Sequence, residues 1–133
     1  MPRKCSSPVL TQREIASSLL QRVRETTDIE EIIEITKNPD PNVRKIAVRS
    51  ICPCKVYDKI DLFWNRILEM TEDESAEVRA NVLHVLCDGS PEHLEDRIIN
   101  AVQQFNRDED KSIRRRAHKV LGSYYKTGKW NVL

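Results

Sequence analysis

The sequence contains little glycine and few aromatic residues: there are three glycines in 133 residues, and aromatic side chains make up 5% of the chain. This scarcity disfavours glycine-rich nucleotide-binding loops and β-sandwiches, while 32% charged residues favour a charged helical protein. Long apolar runs are also lacking: no stretch approaches the roughly 18–20 residues of a membrane span, and no secretory core follows the first four residues. We therefore predict an intracellular, all-α protein without a membrane partner.

Cysteine is equally sparse, with four residues at uneven spacing: Cys5, Cys52, Cys54 and Cys87. In a chain with ample aliphatic side chains, this spacing favours reduced thiols in the cytoplasm over a disulfide framework; a nuclear or virion-associated location also fits. Structural zinc needs four ligands, and no second cysteine pair accompanies Cys52 and Cys54. We predict no metal and no cofactor, with Cys52 and Cys87 as small buried side chains.

The chain repeats itself with a period of 35 residues, and three copies align without a gap. The clearest match places Val43-Arg44, Val78-Arg79 and Ile113-Arg114 in register. Apolar positions within each copy recur at the three-residue steps that are typical of an α-helix. The aligned apolar columns are Ile29/Trp64/Ile99, Ile32/Ile67/Val102, Ile35/Met70/Phe105, Ala47/Val82/Ala117 and Ile51/Leu86/Leu121.

Each unit is predicted to form two helices, A and B, and a leader helix precedes the first unit. The leader and A helices are predicted near 12–25, 28–37, 58–71 and 91–106, and the B helices near 41–52, 76–87 and 111–126. The whole chain 1–133 is predicted to form a single domain, with repeats at about 26–55, 56–89 and 90–126 and a C-terminal cap at 127–133.

Capping residues support these helix starts. Asp40, Ser75 and Asp110 can each accept from the free N–H groups of a B helix. Capping boxes are predicted at Thr11 with Glu14 and at Thr27 with Glu30, and Ser90 precedes Pro91 as a cap for the third A helix.

The openings of the B helices resemble HEAT repeats, because Asp40-x-x-Val-Arg44 and Asp110-x-x-Ile-Arg114 match the motif of that family. The resemblance covers about residues 26–126. It implies a short right-handed α-solenoid of about three HEAT-like helix pairs plus the N-terminal capping helix. The segments around Cys52, Cys87 and Trp130 are similar to short stand-alone HEAT proteins of bacteria and large DNA viruses.

In the HEAT family, the Asp and Arg positions form a ladder of hydrogen bonds between adjacent repeats. Carried onto this sequence, the resemblance implies a structural ladder of Asp40, Arg44, Arg79, Asp110 and Arg114. The sequence departs from the pattern at Ser75, which can cap a helix but supplies no carboxylate.

Charge separates by helix type, although the whole chain carries a formal net charge of only +1. The three A segments sum to −9 and the three B segments to +7. Two 35-residue columns on the B helices point away from the apolar stripe, and they predict a basic track of Lys45, Arg49, His84, Arg115 and Lys119. The alternative is that these charges only cover the solvent-exposed faces of the A and B helices and form no binding site.

The basic track predicts a non-catalytic scaffold that binds an acidic protein partner on the concave side of the stack. Nucleic acid is the alternative partner, since Lys and Arg neutralise phosphates. A DNA-repair glycosylase built from HEAT-like helices is a remote third possibility. No motif places a Ser or Cys nucleophile beside His84, His93 or His118, and we predict that the protein is not an enzyme.

The C-terminal residues have two possible roles. Gly128 suits a left-handed turn after the last helix, and Trp130, Val132 and Leu133 can then fold back over the last repeat as a cap. The same tail docked on another copy of the chain would give a homo-oligomer.

Overall fold

The computed structural model describes residues 10–50 and 60–133. Within these two ranges the chain is helical and contains no strand, which confirms the all-α class. The helices are α1 (Gln12–Glu25), α2 (Ile29–Ile35), α3 (Pro41–Arg49), α4 (Ile60–Glu69), α5 (Ala76–Leu86), α6 (Glu95–Phe105) and α7 (Lys111–Thr127). Short 3-10 turns cover Met70–Glu72 and Glu92–Leu94. Cys5, Cys52 and Cys54, on which part of the metal argument depends, lie outside the described residues.

The side chains that begin the B helices act as predicted. The side chains of Asp40, Ser75 and Asp110 accept from the backbone N–H groups of Asn42, Val78 and Ile113. The capping box of Thr11 and Glu14 is present at the start of α1. Because these bonds span two or three residues, the local sequence is sufficient to specify them.

Two of the predicted caps on the A helices are wrong. The N-cap of α2 is Asp28 rather than Thr27, because the Asp28 carboxylate accepts from the N–H of Glu30. Ser90 does not cap α6, which begins only at Glu95 after a 3-10 turn. The Ser90 hydroxyl instead lies 2.6 Å from the carbonyl oxygen of Leu86, four residues earlier.

The helices pack in a regular order. The A helices α2, α4 and α6 contact one another in sequence, the B helices α3, α5 and α7 do the same, and each A helix contacts the B helix that follows it. Helix α1 packs on α2 and α3. The described residues of the predicted columns are buried, and Ile32, Ile67 and Val102 are at most 3% exposed. Ile51, which belongs to the last of these columns, lies outside the described residues. None of the described helices is both long enough and apolar enough to cross a bilayer.

Candidate functional site

Two arginines clamp successive units together through their guanidinium groups. The Nε and Nη2 atoms of Arg44 donate to the two carboxylate oxygens of Asp73, each at 3.0 Å. Arg79 binds Asp108 in the same way, at 2.9 and 3.1 Å. We call these two bidentate pairs the arginine ladder. Fork-to-fork pairs of this kind are among the strongest hydrogen-bonded ion pairs in proteins.

The remaining guanidinium nitrogen of each arginine binds the backbone of its own unit. Nη1 of Arg44 donates to the carbonyl oxygens of Asn38 and Pro39, both at 2.9 Å. Nη1 of Arg79 donates to the equivalent carbonyls of Asp73 and Glu74. Each arginine therefore ties the loop before its own helix to a carboxylate of the next unit.

The carboxylates of the ladder differ from those that the family resemblance implies. Asp40 and Asp110 cap α3 and α7, and neither is among the carboxylates that bind an arginine in the described residues. Arg79 forms an ion pair although Ser75, at the start of the same helix, has no carboxylate. The partner of Arg79 is Asp108. The 35-residue column Asn38/Asp73/Asp108, two residues before the caps, was the signal that sequence reasoning missed.

The environment of Asp108 lowers its pKa. Burial alone would raise it, but the hydrogen bonds from Arg79 and from the N–H of Asp110, with the charges of Arg79 and Arg114, outweigh burial. The pKa of Arg79 is raised, chiefly by its hydrogen bond to Asp108. Both shifts favour the charged pair.

We expect this pair to make the fold sensitive to acid. A carboxyl group with a lowered pKa in the folded state stabilises the protein above its unfolded pKa of about 4, and that contribution is lost as the pH falls through the folded value. Asp108→Asn should therefore destabilise the protein at pH 7, and the difference from the wild type should shrink towards pH 3. Urea unfolding at several pH values measures this, with Asp96→Asn on an exposed carboxylate as control. A difference that stays constant across this range would contradict the prediction.

A groove of about 860 Å³ runs along the B helices. Four of the five residues of the predicted basic track line it: Lys45 and Arg49 from α3, His84 from α5 and Lys119 from α7. Apolar side chains lie between them and in the tail: Ile46, Ala80, Val132 and Leu133. The 35-residue phase therefore brings together side chains that lie as far as 74 positions apart in the chain.

The fifth residue of the predicted track lies elsewhere. Arg115 is exposed and is not part of the groove lining, whereas its neighbour Arg116 is. One residue along a helix rotates the side chain by about 100°, so an error of one position is enough to choose the wrong face. Arg116 shares the column of Ile46 and Asn81, which also line the groove.

The basic side chains of the groove differ in whether a carboxylate lies beside them. Nζ of Lys45 lies 3.1 Å from a carboxylate oxygen of Glu77, and His84 lies 3.7 Å from Asp88. Among the described residues, Arg49, Arg116 and Lys119 have no carboxylate within ion-pair distance. Positive charge is therefore available mainly near the last turn of α3 and the middle of α7.

The tail after α7 folds back on its own chain. Gly128 adopts a left-handed conformation, with φ at 75°, and turns the chain away from the helix. Trp130 is 5% exposed, and its indole N–H donates to the Ser90 hydroxyl at 2.7 Å. The Asn131 side-chain oxygen accepts from the N–H groups of Gly89 and Ser90. These contacts place the tail on the loop after α5.

Cys87 is the cysteine that the structure describes, and it is buried at the end of α5. Burial raises the pKa of its thiol to about 12. A thiol in this state is neutral at physiological pH, so it packs as a small apolar side chain. In the described part of the chain, no three His, Cys, Asp or Glu side chains cluster in a way that could hold a metal ion.

In comparisons with known proteins, no protein-family model, no curated protein and no solved structure matches the chain.

Proposed function

We propose that the protein is a non-catalytic scaffold: a short right-handed α-solenoid of HEAT-like helix pairs that binds an acidic segment of a partner protein. The groove on α3, α5 and α7 is the proposed contact surface. The observation that supports this most directly is that one groove combines apolar side chains with cations that have no carboxylate partner among the described residues.

The composition of the groove favours a protein segment over nucleic acid. Arg49, Arg116 and Lys119 can meet carboxylates, while Ile46 and Val132 offer apolar contacts that a phosphate backbone cannot use. Among the described residues that line it, none is an aromatic side chain on which a single-stranded base could stack.

Nucleic acid remains the second candidate because the same three cations could neutralise backbone phosphates. Its affinity would fall steeply with salt, with a log–log slope of about −0.9 for each phosphate neutralised on duplex DNA. An acidic peptide that also makes apolar contacts would depend less on salt. The salt slope therefore separates the two candidates.

The test is a charge reversal of the groove at Arg49, Arg116 and Lys119, each replaced by Glu. Because these side chains have no ion-pair partner in the described residues, we expect a folded variant whose affinity for an acidic peptide falls at least tenfold. The probe is a fluorescent decapeptide of alternating Glu and Leu, measured by anisotropy beside a 20-base-pair duplex and a 20-nucleotide single strand.

The matched control reverses three exposed cations that lie outside the groove: Arg13, Arg115 and Lys126. It changes the net charge by the same amount, and we expect it to retain most of the peptide affinity. Equal losses in both variants would show that net charge rather than the groove binds the peptide. Tighter binding of duplex than of peptide near physiological salt would favour the nucleic-acid alternative.

A further inference from the structure

Arg114 opens α7 in the same geometry as the two arginines of the ladder. Its Nη1 atom donates to the carbonyl oxygens of Asp108 and Glu109, at 2.7 and 2.9 Å. These acceptors lie six and five residues before Arg114, as they do for Arg44 and Arg79. Equivalent backbone carbonyls therefore hold the Nη1 atom of all three guanidinium groups.

The edge of the Arg114 guanidinium group formed by Nε and Nη2 has no hydrogen-bond acceptor in the described residues. In Arg44 and Arg79, the Nε and Nη2 atoms hold a carboxylate of the next unit, whereas no group in 10–50 or 60–133 accepts from these atoms of Arg114. The tail does not cover this edge, because Gly128 directs the chain towards the loop that follows α5.

One turn after Arg114, helix α7 has a polar side chain at a position where α3 and α5 have apolar ones. In the column that Val48, Leu83 and His118 share, the first two side chains are fully buried and His118 is exposed. His118 helps to line a shallow groove of about 460 Å³ between α6 and α7, which also contains Arg107 and the exposed Tyr125. His118 follows Arg114 by one turn of α7, so this groove lies next along the helix from the open edge of Arg114.

A second copy of the chain does not fit this edge in the manner of the ladder. The residue of the first unit that corresponds to Asp73 and Asp108 is Asn38, which carries no charge and whose side-chain oxygen accepts from the N–H of Asp40. Helix α1 also packs on α2 and α3 at that side of the molecule.

We propose that the open edge of Arg114 is a recognition site for an aspartate in an acidic segment of a partner protein. The ligand class follows from the chain itself, since the same fork binds an aspartate carboxylate with both oxygens in two other places. The side chains of this site do not line the groove of the B helices, so either site can fail without the other.

The probe is a capped peptide with the sequence of residues 104–112, which contains the aspartate that Arg79 binds. NMR of the arginine Nε–Hε groups reports binding directly. We expect a saturable shift of the Arg114 signal, and at least tenfold weaker binding for the peptide that has Asn in place of Asp108. This comparison leaves the protein unchanged, so it does not depend on the folding of a variant.

Variants of the protein give the second test. Arg114→Lys keeps the charge but loses the fork, and we expect about tenfold weaker peptide binding. Arg115→Lys, one residue away, is expected to bind like the wild type. The proposal is overturned if the shift does not saturate up to about 10 mM peptide, if the Asn peptide binds equally well, or if both lysine variants weaken binding alike.

Discussion

Alanine in place of Trp130 is expected to lower the free energy of unfolding by about 3–5 kcal/mol, the range for large aromatic side chains removed from a core. Trp130 is 5% exposed, and its ring lies edge-on to Tyr124, with 6.2 Å between the ring centres. The substitution also removes the donor that binds the Ser90 hydroxyl. Urea denaturation followed by circular dichroism measures the change.

The matched control for this substitution is Tyr125→Ala. Tyr125 is also aromatic and lies near the end of α7, but it is 66% exposed. Surface substitutions of this kind usually change stability by about 0.5 kcal/mol or less. A similar loss in both variants would show that any aromatic residue near the end of α7 matters, rather than the buried indole.

The same variant separates the two roles predicted for the tail. The observed contacts of Trp130 and Asn131 are with the chain's own loop at Gly89 and Ser90. We therefore expect Trp130→Ala to lose stability without a change in molar mass by light scattering. A change in molar mass without a loss of stability would mean that the tail docks on another copy.

The local features of the fold could be predicted from the sequence. The caps of the B helices depend on bonds between residues two or three apart, and the buried columns depend on apolar positions that recur every 35 residues without a gap. Both signals are contained in short stretches or in a fixed spacing. The capping residues and the spacing of apolar residues therefore predict the helix positions to within a few residues.

The contacts between units were harder to predict, because they depend on loop geometry. Asp73 and Asp108 face the arginine of the preceding unit only because the loop before each B helix orients them so. A count of charges by helix likewise treats Lys45 as free, although it pairs with Glu77 on the next B helix. The bonds of Trp130 and Asn131 span about 40 residues without any repeat to signal them.

Removal of the Arg79 side chain is expected to destabilise the fold by about 3 kcal/mol, because it leaves a largely buried aspartate without its partner. The side chains of Arg79 and Asp108 are only 15% and 9% exposed, so solvent screens the pair weakly. Arg79→Ala also removes the bonds to the carbonyls of Asp73 and Glu74. Chemical denaturation at neutral pH and moderate salt measures the loss.

Arg114→Ala is the internal control for the contribution of the carboxylate. Arg114 makes the same type of carbonyl bonds but has no aspartate in the described residues, so its loss should be about 1 kcal/mol. The remaining difference of about 2 kcal/mol isolates the ion pair between units. A double-mutant cycle of Arg79→Ala with Asp108→Ala should give a coupling energy of similar size, within the range of about 0.5–3 kcal/mol for residues in contact. Equal losses at Arg79 and Arg114 would mean that the carbonyl bonds within a unit, and not the carboxylate of the next unit, account for the loss of stability.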